Sequence, residues 1–378
     1  MNAVAEPTSV DDSLSNRDLA VLRGLPALVL REGYIDNLLL YGVGHVSFDA
    51  VRKDLAALPP GLRMLTSLFF LNGEESPDEV ARVFASHEVQ ALLRLGILLE
   101  KAGRLHTDGL ILLPVLGHVM FVPRPIADPT VYFGEDSVAL AVRLSPRRGS
   151  RCLDLCSGPG IQALRSAAAG GQVVAVEINT VAAACNELNI ALNSLDRQIE
   201  LRRGDLYAVL RPGERFDFVS ANPPLLPFVP DLPYPFVGHG GADGMRVTWR
   251  ILDQLPEVLA DGGTAQVIGT CTGDDAGPHS RIELERYASA HGLQVVMTVP
   301  ARGKLALGSR SFEWLAESCA NATGLALDMV KQRFASHLAA LGADQLYAYY
   351  LTVTKGSPRP GFVMTQQFRQ PGGGFWFR

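Results

Sequence analysis

The stretch Arg151-Cys-Leu-Asp-Leu-Cys-Ser-Gly-Pro-Gly-Ile-Gln-Ala163 constrains the fold more than any other part of this 378-residue chain. An apolar run of strand length meets a turn of small residues, and a helical pattern follows. Such a turn lets a nucleotide approach backbone N–H groups at a helix N-terminus. The same alternation continues downstream. Val173–Val176, Phe216–Ser220 and Ala265–Ile268 read as strands, with helical stretches at 161–169, 180–194 and 246–260. Strand alternating with helix implies a parallel sheet covered by helices on both faces. Leu293–Val299 and Leu346–Val353 add two strands, separated by a helical segment at about 308–342.

The region ahead of residue 126 has a different rhythm. Residues 1–16 read as a loose tail, and Leu19 to about Leu99 is helical with breaks at Pro59-Pro60-Gly61 and Asn72–Ser76. Ser76-Pro-Asp-Glu79 is an N-cap with proline at the first helical position and acids in the first turn. Ser86-His-Glu88 starts a further helix, with Val89, Leu92, Leu93 and Ile97 on one face. Asp108-Gly109 between two apolar runs predicts a hairpin. Three helices followed by a hairpin is the order of a winged helix-turn-helix.

Composition removes several classes. Hydrophobic residues make up 47% of the chain and the formal net charge is −5, which argues against disorder and against a generic polyanion binder. Five cysteines, none in a CxxC pair, signal neither a disulfide framework nor a zinc cage, so no metal is expected. The polar, acidic start lacks a signal-peptide pattern, and no uncharged apolar run is long enough to span a membrane. The expected location is the cytoplasm.

Two ligand classes compete for the small-residue turn. Gly158-Pro-Gly160-Ile-Gln-Ala163 fits a dinucleotide fingerprint. Asp154 discriminates, because a carboxylate at that strand end would repel a pyrophosphate. It suits a cationic ligand bearing an ammonium and a sulfonium, which is S-adenosylmethionine (SAM). Cys156, Ser157, Gly158 and Gly160 form the turn. Glu177, followed by Ile178, ends the next strand and can accept both ribose hydroxyls, as it would in an NAD enzyme. Asp205, followed by Leu206, can accept from the adenine amino group.

Asn222-Pro223-Pro224 lies just beyond the next strand, where two prolines fix the backbone and cannot donate hydrogen bonds. Downstream come Leu225-Leu-Pro and then Gly240-Gly241-Ala-Asp243-Gly244. This stretch resembles the class I SAM-dependent methyltransferases of the Asn-Pro-Pro-aromatic type. Within them it is most similar to the release-factor glutamine methyltransferase, or methyltransferase small-domain, group. Gly134-Glu-Asp136-Ser137 resembles that group's Arg-Pro-Asp/Glu-Thr segment. The resemblance covers about residues 130–275.

It implies a doubly wound, seven-stranded, Rossmann-like α/β sheet, which follows the mostly helical, winged-helix-like domain read from the pattern of residues 1–126. It also implies that the Asn222 side-chain carbonyl and the Pro223 carbonyl accept hydrogen bonds from the acceptor's amino group, turning its lone pair toward the sulfonium methyl. Transfer is then an in-line displacement that the protein assists by positioning. Two departures stand out. Leu225, which with Pro224 is expected on the acceptor side, occupies the aromatic position that stacks on a flat acceptor, so either Phe228, Tyr234, Phe236, Tyr132 or Phe133 substitutes or the acceptor is not a flat amide. Cys156 stands where the loop usually has its first glycine.

His239 lies in the loop after Asn-Pro-Pro and is a candidate general base, as is Asp231. Residues 1–126 carry 11 Lys+Arg against 15 Asp+Glu, which argues against phosphate contacts by the winged helix. The segment 355–378 carries four basic residues and no acid, and reads as a tail or lid. The expected organisation is a substrate or dimerisation domain at 1–126, a catalytic domain at 127–354 and the tail at 355–378. The favoured acceptor is a small biosynthetic metabolite, with a ribosomal-RNA base or a protein glutamine as the alternative and a SAM-binding regulator as the non-enzymatic one. A homodimer is possible and no membrane partner is expected.

Overall fold

The computed structural model describes residues 15–42, 47–124, 130–366 and 375–376. The expected loose tail falls almost wholly outside these residues, as do Phe368, Arg369, Phe377 and Arg378 of the C-terminal segment. Among the described residues no helix is long and apolar enough to cross a membrane.

The front of the chain is helical, as its pattern predicts: α1 (Asn16–Arg31), α2 (Tyr34–Leu39), α3 (Phe48–Asp54), α4 (Pro60–Phe69), α5 (Pro77–Val80) and α6 (Ser86–Arg94). The cap before α5 forms reciprocally, with Ser76 Oγ accepting from the Glu79 amide and Glu79 Oε2 accepting from the Ser76 amide. Strands β1 (Leu99–Lys101) and β2 (Arg104–His106) form a hairpin. Its turn is Ala102-Gly103, both at positive φ (50° and 73°), not the predicted Asp108-Gly109. The right-handed twist of paired strands favours such a two-residue turn. Asp108-Gly109 instead passes the chain to a second hairpin, β3 (Leu110–Val115) with β4 (His118–Pro123), which turns at Leu116-Gly117.

That second hairpin joins the front unit to the rest. Leu112, Val119 and Phe121 pack with the front helices, while Ile111, Met120 and Val122 pack with Cys152, Ile161 and Val173. The edge of β4 is satisfied by side chains of α9 (Thr180–Leu192). Asn189 Oδ1 accepts from the Phe121 amide (2.7 Å), and its Nδ2 donates to the Phe121 carbonyl (2.8 Å) and to Pro159 (2.9 Å). Asn193, just past α9, does the same for Val119. Asn189 is fully buried. Asn189→Leu would therefore orphan the buried Phe121 amide and Pro159 carbonyl, each costing about 1–3 kcal/mol, and leave the Phe121 carbonyl only the Cys185 thiol. Urea unfolding should show a loss of about 3 kcal/mol or more.

Behind α7 (Glu135–Ala141) lie β5 (Arg151–Leu155), α8 (Ile161–Ala168), β6 (Gln172–Glu177), α9, β7 (Ile199–Arg203), β8 (Phe216–Ala221), α10 (Arg246–Val258), β9 (Leu259–Asp274), β10 (Gly277–Pro278), α11 (Arg281–His291), β11 (Gln294–Lys304), α12 (Arg310–Thr323), α13 (Leu327–Leu341), β12 (Gln345–Thr354) and β13 (Gly361–Gln366). The sheet runs β13-β11-β12-β9-β8-β5-β6-β7, with β12 antiparallel to both neighbours and β10 paired to β9. Among the described residues it has nine strands rather than the expected seven. β10 is a two-residue addition, and Gly361–Gln366 pairs parallel to β11 as an edge strand, so that part of the segment read as a tail belongs to the sheet. The segment 308–342 is helical, as its pattern predicts, and forms two helices because Gly324 at φ 69° ends the first.

Candidate active site

The sheet changes direction at β5. From there the chain steps through β6 and β7 to one side and through β8 and β9 to the other. Open α/β sheets bind ligands at the carboxyl ends of their strands at such a switch point. A cavity of about 230 Å³ opens there. Its walls come from the turn after β5 (Cys156–Pro159), the end of β6 (Glu177–Asn179), Gly204–Leu206 after β7, and Asn222 and Pro224 after β8. The segment before α7 adds Tyr132 and Phe133, and α10 adds Arg246, Val247 and Arg250.

The cofactor turn is shaped by local backbone geometry. Gly158 and Gly160 sit at φ 53° and 99°, and a Cβ on Gly160 would lie 2.4 Å from Asn186 Oδ1. Cys156 holds φ 55° and Leu206 φ 47°, a left-handed conformation that is costly for L side chains. Cys156 thus stands where glycine is the unstrained choice.

Glu177 is buried (7% exposed) and works hard. Its Oε2 accepts from the Gly158 amide and its Oε1 from the Asn179 amide, both at 2.7 Å. Burial raises its pKa and these amides hold it down. Asp205 Oδ2 accepts from Arg250 (2.7 Å).

Asp154 does not line the cavity. It is 1% exposed, behind the turn, accepting from Ser157 Oγ (2.6 Å) and Ser220 Oγ (2.8 Å). Burial pushes its carboxyl up to about 7, against the two hydroxyls that hold it down. Its folded pKa lies above the unfolded value, so between about pH 4 and 7 the folded chain keeps a proton that the unfolded chain has lost. Stability therefore falls as pH rises through that window, by up to about 1.4 kcal/mol per unit, and levels off above it. Urea unfolding of wild type and Asp154→Asn from pH 4.5 to 8 should show the gap between them change below 7 and stay constant above.

The loop after β8 is bound to itself. Leu226 and Phe228 donate their amides to the Gly238 and Gly241 carbonyls, and Gly240 donates to Leu226. It lies so close to β9 that a Cβ on Gly244, at φ 90°, would sit 2.5 Å from the Thr270 carbonyl oxygen. This close approach is why the Gly-Gly-x-Asp-Gly stretch needs its glycines.

Not all of the expected acceptor residues reach the cavity. Tyr132, Phe133, Pro224 and Phe236 line it. Leu225 is buried with Leu140, Ile268 and Trp376. Phe228 is fully buried, stacked on Tyr234 (3.6 Å) and edge-on to Phe334 of α13. These three side chains anchor the loop. Pro223, Gly160 and His239 also lie off the cavity wall. His239 Nδ1 accepts from the Gly241 amide, and burial lowers its pKa. Asp231 is exposed.

Asn222 is the clearest polar group on the acceptor side. Its Nδ2 donates to Asp136 Oδ2 (2.9 Å) and Ser137 Oγ (3.2 Å). Its Oδ1 is buried without a partner. Sequence reading missed Arg246 and Arg250, one helical turn apart at the start of α10. Their only signal was that α10 opens directly after the glycine-rich stretch.

The residues present fit SAM: a glycine-cradled turn, a strand-end carboxylate, a second acid after β7 and an orphaned amide oxygen around one cavity. This combination of sheet and site defines a class I SAM-dependent methyltransferase. Residues 133–272 match the family model described as the methyltransferase small domain. The chain is 30% identical over 218 residues to the ribosomal protein uL3 glutamine methyltransferase of Burkholderia pseudomallei, covering 52% of this chain and 67% of that one. It is 34% identical over 149 residues to the enzyme of the same name from Bradyrhizobium diazoefficiens (36% and 46% covered). It is 30% identical over 146 residues to a putative protein N5-glutamine methyltransferase of Methanocaldococcus jannaschii (37% and 72% covered). The chain belongs to this methyltransferase small-domain family, related to the protein-glutamine methyltransferases.

Proposed function

We propose that the protein transfers the SAM methyl group to a planar nitrogen, and that the acceptor is the side-chain amide of a protein glutamine. The observation that carries this reading is the free Asn222 Oδ1, a lone acceptor at the end of β8 with its own amide hydrogens already engaged. A buried acceptor without a partner costs free energy until an N–H reaches it. An acceptor amide supplies that N–H. The sulfur–carbon bond breaks with its electron pair staying on sulfur, the carbon–nitrogen bond forms from the nitrogen lone pair, and the nitrogen proton leaves to solvent. SAM supplies the methyl. Glu177 would hold the ribose and the turn at Ser157–Gly158 the amino-acid moiety.

The relatives' names point to glutamine rather than to the small metabolite favoured by Leu225. With that side chain buried in the core, its identity no longer argues against a flat acceptor. Phe236, 59% exposed on the cavity rim, can supply the flat contact. The front unit, read as winged-helix-like, is suited to scaffolding and not to a DNA groove. α1 packs along α6, and Arg94, a basic residue of α6, is bidentate on Asp18.

The test is incubation with methyl-tritiated SAM and recombinant uL3 or glutamine-containing peptides from it, with the modified atom located by mass spectrometry. Label on a glutamine nitrogen is expected. Label on oxygen or carbon, or in no protein, overturns the reading.

A further inference from the structure

We propose that Asp136 is a positioning residue for methyl transfer: its carboxylate holds the Asn222 amide with the oxygen toward the acceptor and places a counter-charge behind it. This rests on the role given to Asn222 above.

Asp136 lies in the first turn of α7 and is 3% exposed. Oδ1 accepts from the Tyr132 hydroxyl (2.6 Å) and Oδ2 from Asn222 Nδ2 (2.9 Å). Ser137 Oγ takes the other amide hydrogen of Asn222 at 3.2 Å. A side-chain amide has two orientations that exchange oxygen and nitrogen, and an ionised carboxylate can only accept. Turning the Asn222 oxygen toward Asp136 would set two acceptors against each other and waste the amide donors. Asp136 therefore selects the single orientation in which Oδ1 is left for the cavity. Tyr132 and the start of α7 fix the carboxylate, so the selection is built into the chain before any acceptor arrives.

The charge has a second consequence. As the carbon–sulfur bond breaks and the carbon–nitrogen bond forms, positive charge passes from sulfur to the acceptor nitrogen, whose N–H groups become better donors. A carboxylate hydrogen-bonded to the far side of the Asn222 amide makes its oxygen a stronger acceptor for those N–H groups. The interaction tightens in the transition state and so favours kcat rather than substrate affinity. Gly134-Glu-Asp136-Ser137 is thus functional through its second acid.

The test uses the full-length, ¹⁵N-labelled protein with S-adenosylhomocysteine bound. The Asn222 Nδ2 resonances are assigned by their loss in Asn222→Ala. In wild type and Asp136→Asn they are expected to be shifted from free-amide values and protected from exchange, because an asparagine at 136 still offers one acceptor oxygen. In Asp136→Ala the hydrogen that Asp136 accepts should return to its free-amide value and exchange fast, while Ser137 still holds the other. Unchanged resonances in Asp136→Ala overturn the proposal.

In turnover on the uL3 glutamine substrate, Asp136→Ala should lower kcat about 30- to 100-fold at unchanged KM for SAM, and Asp136→Asn, which keeps the acceptor oxygen but not the charge, should recover part of it, to about 5- to 10-fold below wild type. Full kcat in Asp136→Ala, or no recovery by Asp136→Asn when both variants melt at the same temperature, also overturns it. If the wild-type protein methylates no glutamine, the functional reading fails, and the amide resonances still decide the role of Asp136.

Discussion

Asn222→Ala is expected to lower kcat by about 10²- to 10³-fold, the usual loss when one preorganised polar contact to the reacting group is removed. The affinity for S-adenosylhomocysteine, read by calorimetry, should stay within about threefold, because Glu177 and the turn after β5 are untouched. The split follows from geometry. The Asn222 oxygen is the buried acceptor left over once Asp136 and Ser137 have taken the amide hydrogens, so its loss removes an interaction made with the acceptor. Loss of cofactor affinity in step with kcat would instead place Asn222 on the cofactor side. Asn222→Asp is expected to be nearly as damaging, since a second carboxylate beside Asp136 sets two negative charges about 3 Å apart.

Glu177→Ala should weaken S-adenosylhomocysteine binding by about 100-fold or more. A hydrogen bond to a charged group contributes about 1.5–3 kcal/mol, and two ribose hydroxyls lose their acceptor. The substitution also releases the Gly158 and Asn179 amides, which the carboxylate clamps from either side. Glu177→Gln separates the two contributions. It keeps one acceptor oxygen and places an NH₂ against a backbone N–H, so it should recover little of the lost affinity. The readouts are the calorimetric dissociation constant and the cofactor-induced rise in melting temperature.

Much of the site was legible because its residues sit in local patterns. Cys156–Pro159 and Asp205–Leu206 follow strands, and Glu177 ends one, whose apolar runs are plain in sequence, and the parallel sheet brings their ends together. Residues whose place depends on tertiary packing were not legible. Leu225, Phe228 and Tyr234 look like a substrate wall on a proline-rich loop, yet Leu225 and Phe228 face inward, against Trp376 and Phe334, and the half-buried Tyr234 stacks on Phe228. Asp154 has a motif position that suggests direct ligand contact, but Ser157 and Ser220 already occupy both its oxygens. The misplaced hairpin turn has a similar cause. Asp-Gly is a strong local signal, and Ala102 takes a positive φ only because β1 and β2 pair around it. β13 escaped notice because a glycine- and proline-rich flank hides a six-residue strand that is stabilised by pairing with β11.

The amide side chains along the edge of β4 set the size of the cooperative unit. Asn189 is hydrogen-bonded at once to the second hairpin and to Pro159 of the cofactor turn. A fragment restricted to the stretch that matches the family model would take from Asn189 and Asn193 the Phe121 and Val119 backbone groups they bond and strip the cover from α9. The stretch that the family model covers, residues 133–272, is therefore smaller than the unit these bonds tie together. The front unit and the catalytic sheet share that seam, and neither can be exchanged for a relative's counterpart without rebuilding the bonds along α9.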